Sequence, residues 1–320
     1  MLGIFRNNNP LALLLLLGLG YVCVFLKPAI PQIQLENEHP IILQWLTLKL
    51  IALEKNAGLA VKIISFTLLI SEALYLNKIS KDFKLLERGT YITALTFLLI
   101  GFLIPYRITI FMLLINALII LVFNAFMDMY KNNSPFNQIM VVGFVTALIS
   151  SVLNNYLILY VWLTIALLIM RPTSLREWSM LNLGFLLPYY FSSSLLYLTN
   201  QFSLNALMQF KIPSFEMPAL TTFYALKICS VLALPLIGFW AGSAQISKMV
   251  LQNRKGYIIL FALFLASICI ALLNLSMLNQ YLYLLLVPAS MLFAPFFQSF
   301  KRDFIPNLVL ILLIVLSYIR

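Results

Sequence analysis

Apolar residues in this chain do not alternate as in a half-buried strand, nor do they fall on a single stripe as in the helix of a soluble domain. They run together for most of a bilayer's thickness and are then interrupted by short polar stretches. A hydrocarbon core about 30 Å thick takes roughly 20 apolar residues per helix. Marked by that length and by flanking charge, proline and asparagine, the runs fall at about 10–26, 57–76, 89–104, 107–126, 137–153, 155–170, 179–198, 222–240, 257–273, 281–298 and 305–319. The pattern predicts an all-α, polytopic membrane helix bundle of about eleven transmembrane helices, ten to twelve, in one integral membrane domain over residues 1–320. The third and last runs are short, and Pro105-Tyr106-Arg107 predicts a tight hairpin between the third and fourth. Pro235 and Pro288 are expected to break spans eight and ten.

Composition narrows the class. With 62% hydrophobic and 10% charged residues and a mean hydropathy of +0.99, the chain is excluded from soluble domains built round one core. The first run follows Arg6 as a signal peptide would. No small-x-small cleavage site follows in "YVCVFLKPA", so it is expected to be retained.

The formal charge of +11 reads as a topology signal, because cytoplasmic loops collect lysine and arginine. An N-terminus inside places Arg6, Lys78, Lys81, Lys84, Arg88, Lys131, Arg171, Arg176, Lys248, Arg254, Lys255, Lys301 and Arg302 on the cytoplasmic side, thirteen of the twenty-one. Residues 27–56 are then a first external loop and 199–221 a second. Nucleic acid is not an expected partner, since no basic stripe interleaved with aromatics lies on a soluble surface. Cys23, Cys229 and Cys269 fall inside runs, with no paired spacing for a disulfide framework or zinc site. Nucleotide-binding and hydrolase motifs are missing.

Candidate chemistry concentrates in "QLENEHPIILQW", where Glu36, Glu38 and the only histidine, His39, crowd into four positions. Pro40 to Lys55 follows, too interrupted by Gln44, Thr47 and Lys49 for a span and suited to an interfacial helix. One reading is local: carboxylates before a helix starting at Pro40 meet its N-terminal dipole favourably. The other is functional. Lys62, Arg107, Lys211 and Lys227 share the external side and together suit the phosphate or pyrophosphate of a lipid whose tail stays in the bilayer. A carboxylate, Glu36 or Glu38 with His39 behind them, would act as general base on an acceptor hydroxyl or as a metal ligand, while the cations or a divalent metal stabilise the leaving phosphate.

That layout resembles the multi-spanning, polyprenyl-phosphate-dependent glycosyltransferases of the C fold. These have a cytoplasmic N-terminus, essential acids in the first external loop and interfacial helices after it. Glu36-Asn37-Glu38 occupies the corresponding place here, with glutamates where that superfamily has aspartate. The resemblance covers about the first 130 residues and implies sugar transfer on the outer face of the inner membrane.

"ISEALYLNKISKDFKLLERGTYITALTFLLIG", residues 70–101, and "RPTSLREWSMLNLGFLLPYYF", residues 171–191, are similar to a family of uncharacterised integral membrane proteins from Bacteroidota. This second resemblance implies the inner membrane of a Gram-negative cell and no activity. The residues themselves give Ser174–Glu177 as a capping box. Glu72, the only acid inside a run, is either a partner for Lys78 or Arg88 or part of a proton or ion pathway. Besides glycosyl transfer, two functions remain open: a non-catalytic membrane subunit of a cell-envelope assembly, with envelope proteins as partners, and a lipid or small-molecule transporter.

Overall fold

The computed structural model describes residues 2–6, 9–28, 49–50, 58–86, 90–130, 132, 135–151, 157–171, 174–198, 222–275, 278–300 and 304–318. Among them all regular structure is helical. The helices are α1 (Leu2–Arg6), α2 (Leu11–Tyr21), α3 (Gly58–Asp82), α4 (Ile92–Leu103), α5 (Ile110–Met129), α6 (Phe136–Ser150), α7 (Leu157–Met170), α8 (Leu175–Leu198), α9 (Thr222–Ile246), α10 (Leu251–Leu273), α11 (Leu278–Tyr281), α12 (Leu286–Ser299) and α13 (Phe304–Tyr318). One π-helical turn, Val22–Leu26, continues α2, and a 3-10 turn, Leu282–Leu285, joins α11 to α12. Every expected apolar run holds helix. Five helical segments among the described residues are long and apolar enough to cross a membrane: Gly58–Asp82, Ile110–Met129, Phe223–Ser243, Leu251–Leu273 and Leu282–Ser299.

The outside of the bundle is as apolar as the inside. Leu14, Leu186, Ile311 and Leu312 are more than half exposed, and Trp240 is 80% exposed. Water would penalise such a surface, whereas hydrocarbon is indifferent to it. At the centre stand α4, buried at all twelve positions, and α12, buried from Leu286 to Phe297. Twelve residues give α4 a length of only about 18 Å. Its shortness is tolerable because neighbouring helices enclose it and the chain beyond continues through buried Ile104, Ile108 and Thr109.

Between hydrocarbon-facing helices association depends on close van der Waals contact, which small residues permit. A Cβ placed on Gly184 would lie 2.3 Å from the Met140 carbonyl oxygen, and one on Gly143 would lie 2.6 Å from that of Leu181. Helices α6 and α8 therefore touch backbone to backbone. Gly238 does the same for α9 against the Leu292 and Phe293 backbone of α12, and at Gly242 the Pro295 ring fills the space a side chain would need.

At the end of the bundle that carries Arg6, polar side chains close helix C-termini, whose last carbonyls have no intrahelical partner. Arg6 Nη2 donates to the carbonyls of Phe297 and Phe300 at 2.6 and 3.0 Å, and Gln252 Nε2 to Met127 at 2.6 Å. Lys255 Nζ donates to Met170 at 2.7 Å and the Tyr257 hydroxyl to Leu85 at 2.8 Å. The capping box forms: Ser174 N donates to Glu177 Oε2 at 3.1 Å, and Glu177 N to Ser174 Oγ at 3.4 Å. Arg171 adds an ion pair to Glu177 at 3.2 Å.

Three expectations change. Helix α9 passes through Pro235 unbroken, whereas the segment of Pro288 is interrupted one turn before it, where its missing N–H leaves the Leu284 carbonyl without an i→i−4 donor. The interruption of that segment is the 3-10 turn before it. Helix α3 runs to Asp82, past the expected end at 76, which leaves Glu72 ten residues from its terminus. Lys78 does not pair with Glu72; it is exposed and, six residues on, lies about 120° round the helix, while the other expected partner, Arg88, lies outside the described residues.

Candidate functional site

Cations converge at the end of the bundle opposite Arg6. The π-helical turn at the close of α2 adds a residue to the turn, and Lys27 follows it directly. Lys27 Nζ donates to the carbonyls of Gly101 and Ile104, both at 2.5 Å, and lies 5.6 Å from the centre of the Phe102 ring. These are the unsatisfied terminal carbonyls of α4, where a positive charge also meets the negative end of the helix dipole.

Lys227, in the second turn of α9 and 9% exposed, donates to the Ser317 carbonyl near the end of α13 at 3.2 Å. The Arg107 backbone N–H donates to the Pro28 carbonyl at 2.8 Å, which ties the α4–α5 connection to the residue after Lys27. The Tyr283 hydroxyl donates to the Tyr106 carbonyl and lies close enough to the Arg107 guanidinium to feel its charge. Tyr224 stands near Tyr106. Three cations and three tyrosines from four segments thus form one linked group, which the Ser317 carbonyl of α13 joins.

Of the residues expected to bind a lipid phosphate, Arg107 and Lys227 belong to this group. Lys62 is half-buried, with its ammonium over the Phe25 ring at 5.9 Å on the α2–α3 side, and no described contact joins it to Lys227. Lys211, Glu36, Glu38 and His39 lie outside the described residues, as does nearly all of the expected interfacial helix. Lys27 was missed by the sequence reading, although a lysine immediately closing an apolar run and preceding Pro28 is a visible signal.

The described acids do not balance this charge. Asp82, Asp128 and Glu177 belong to the Arg6 end, and Glu72 lies midway along α3. Burial, and then the like charge of Lys227, hold the Lys27 ammonium down at about 8 from 10.5, against an opposing pull from Cys23. The folded chain accordingly releases this proton near pH 8 and the unfolded chain near 10.5. Over that interval the unfolded state binds more protons, so this group adds stability as pH rises from about 8 to 10.5. No cluster of three or more metal-ligating side chains occurs among the described residues.

A second polar group is buried in the bundle. Among the described residues, both carboxylate oxygens of Glu72, both amide atoms of Asn116, and the side-chain oxygens of Ser65, Asn77 and Thr93 have no hydrogen-bond partner. Asn116 is the residue the sequence reading passed over; an amide inside "FMLLINALIILVF" is a readable anomaly.

Fold and site together define a class, an all-helical bundle of membrane type with a cationic group at one end and unsatisfied polar side chains in its interior. Comparison with protein-family models, curated proteins and solved structures finds no match.

Proposed function

We propose that this is a multi-pass inner-membrane protein of about eleven spans, its N-terminus inside, whose outer end holds the phosphate of a polyprenyl-phosphate-linked donor. Glu36, Glu38 and His39 in the first external loop act on the acceptor, so that a sugar or similar group is transferred at the outer face. The resemblance of the first third to C-fold glycosyltransferases supplies the reaction. The observation that carries the reading is the convergence of Lys27, Arg107 and Lys227 at one end of the bundle, where no acid has been described. Charge-assisted hydrogen bonds from such groups are the strong ones for phosphate.

The test is binding of farnesyl phosphate to the purified full-length protein in detergent. Removing a cation that contacts phosphate costs about 1.5–3 kcal/mol, so Lys227→Ala and Arg107→Ala are each expected to weaken binding about tenfold or more. Affinity of the wild type is expected to fall between pH 7 and 9 as Lys27 loses its charge near 8, while Lys27→Arg flattens that profile. The phosphate monoester has already lost its second proton near pH 6 and does not confound the result. Indifference of affinity to all three variants would remove the phosphate site.

Topology is tested separately. Reporter fusions at Lys81, Gln209 and Lys255 are expected to read inside, outside and inside. A reversed pair would put the acidic loop in the cytoplasm and end the outer-face reading.

Transport is the second reading, favoured by one observation: the carboxylate and amide buried without partners on α3 and α5. Polar groups inside a membrane bundle are expensive to keep, and those retained commonly mark ion or substrate paths.

A further inference from the structure

Helices α3 and α5 pack against each other and run in the same direction. Their depths can be matched at the Arg6 end, where Gly256 lies against both Met127 and Leu85. Asn116 is eleven residues before Met127, about 16 Å along α5; Glu72 is ten residues before the end of α3, about 15 Å. The two side chains therefore sit at similar depth on contacting helices. Glu72 is 4% exposed and Asn116 is fully buried, and none of their four polar atoms has a partner among the described residues. Ser65 lies seven residues from Glu72 on nearly the same face of α3, about 10 Å towards the opposite end, and is equally unpartnered.

A carboxylate sealed in a protein interior without a donor is strongly disfavoured, and an orphaned amide adds to the cost. Among the described residues no charged side chain answers it; Arg88 lies outside them. Helices α2 and α4 carry none, α5 carries only exposed Asp128 near its end, and the titratable residues of α2 and its π turn are Tyr21, exposed, and Cys23, whose thiol lies 3.7 Å from the Leu98 carbonyl. On α3 itself the nearest charges are Lys62 and Lys78, ten and six residues away, the latter exposed.

We propose that Glu72, with Asn116 at the same depth, forms a buried binding site for a monovalent cation, supplied either as a proton on the carboxyl or as Na+ held by its oxygens. This site is separate from the cationic group at the Lys27 end and does not depend on the phosphate reading. With the orphaned oxygen of Ser65 on nearly the same face of α3, it has the composition of an ion step within the bundle rather than of a packing contact.

The experiment uses the full-length protein purified in detergent and has two arms. In the first, a lipophilic carbodiimide is added and the modified residue is found by mass spectrometry. A protonated carboxyl adds its O–H across a C=N bond of the reagent and rearranges to the N-acylurea, so the whole reagent mass is retained on Glu72. In the second, melting temperature is followed as NaCl replaces choline chloride at constant ionic strength. A proton site predicts near-stoichiometric labelling of Glu72 at pH 6, declining with alkalinity and untouched by Na+. A Na+ site predicts that Na+ raises the wild-type melting temperature by several degrees, protects Glu72 from labelling, and does neither in Glu72→Gln. A structural glutamate satisfied by trapped water predicts neither effect. No labelling of Glu72 at any pH, together with melting indifferent to Na+, overturns the proposal using the wild type alone, whatever the stability of the variant.

Discussion

Replacing Gly184 with leucine is expected to abolish the folded protein. A Cβ at this position meets the Met140 carbonyl oxygen at 2.3 Å and its carbonyl carbon and Cα at 3.1 Å. All three are backbone atoms, so no rotamer change relieves the overlap, and α6 and α8 must separate. Overpacking a core by extra methylenes already costs about 1–3 kcal/mol. Forcing apart two helices that meet through Gly143 and Gly184 removes the contact itself, in a medium that offers no hydrophobic force to restore it. Gly184→Ala is expected to be destabilised towards the upper end of that range. Gly18→Ala, on an exposed stretch of α2 with nothing within 4 Å, is expected to be neutral or stabilised by up to about 1 kcal/mol. Thermal melting and yield of monodisperse protein in detergent measure all three. A Gly184→Leu variant as stable as wild type would mean that α6 and α8 do not pack this way.

The second large effect is expected on activity. A general base that becomes an amide loses the proton affinity it works by, typically 10² to 10⁴ in rate. Glu36→Gln, Glu38→Gln or the double variant is therefore expected to fail in complementing a deletion strain at equal expression, with Glu54→Gln as the control that succeeds. The local alternative gives the opposite result. An amide near a helix start still accepts hydrogen bonds, and loss of the dipole contribution costs only about 0.3–1 kcal/mol. Full complementation by the double variant would withdraw the enzymatic reading and bring forward the envelope-assembly subunit.

The all-helical class and the place of the described helices longer than ten residues were legible from the apolar runs and the polar residues that flank them. In hydrocarbon the backbone must satisfy itself within each segment, so a long apolar run has no alternative conformation to choose. Local signals were equally readable where they close on themselves. Ser174 and Glu177 cap the same turn three residues apart, and the geometry needs nothing distant. Helix ends were less legible: α3 continues to Asp82 because Lys78, Lys81 and Asp82 end the apolar run without ending the helix. Proline was over-read at 235, since its cost depends on whether the surroundings can absorb the freed carbonyl, which tertiary context decides. The G-x-x-x-G of Gly238 to Gly242 was present in the sequence as a close-packing signal, but not its partner, α12.

What the chain determined by itself is therefore its solvent and its segments. Sixty-two per cent hydrophobic residues in long runs commit it to helices in an apolar medium, and the lysines and arginines between the runs carry its expected orientation. Only tertiary structure decided which polar side chains share a place. Lys27 and Lys227 are 200 residues apart, yet they oppose each other because each closes the C-terminus of a different helix, α4 and α13. Glu72 and Asn116 come to one depth because α3 and α5 run in the same direction side by side. An apolar exterior tells a helix nothing about its neighbour. That choice rests on short-range contact and on terminal carbonyls seeking donors, and both depend on distances that exist only once the bundle has formed.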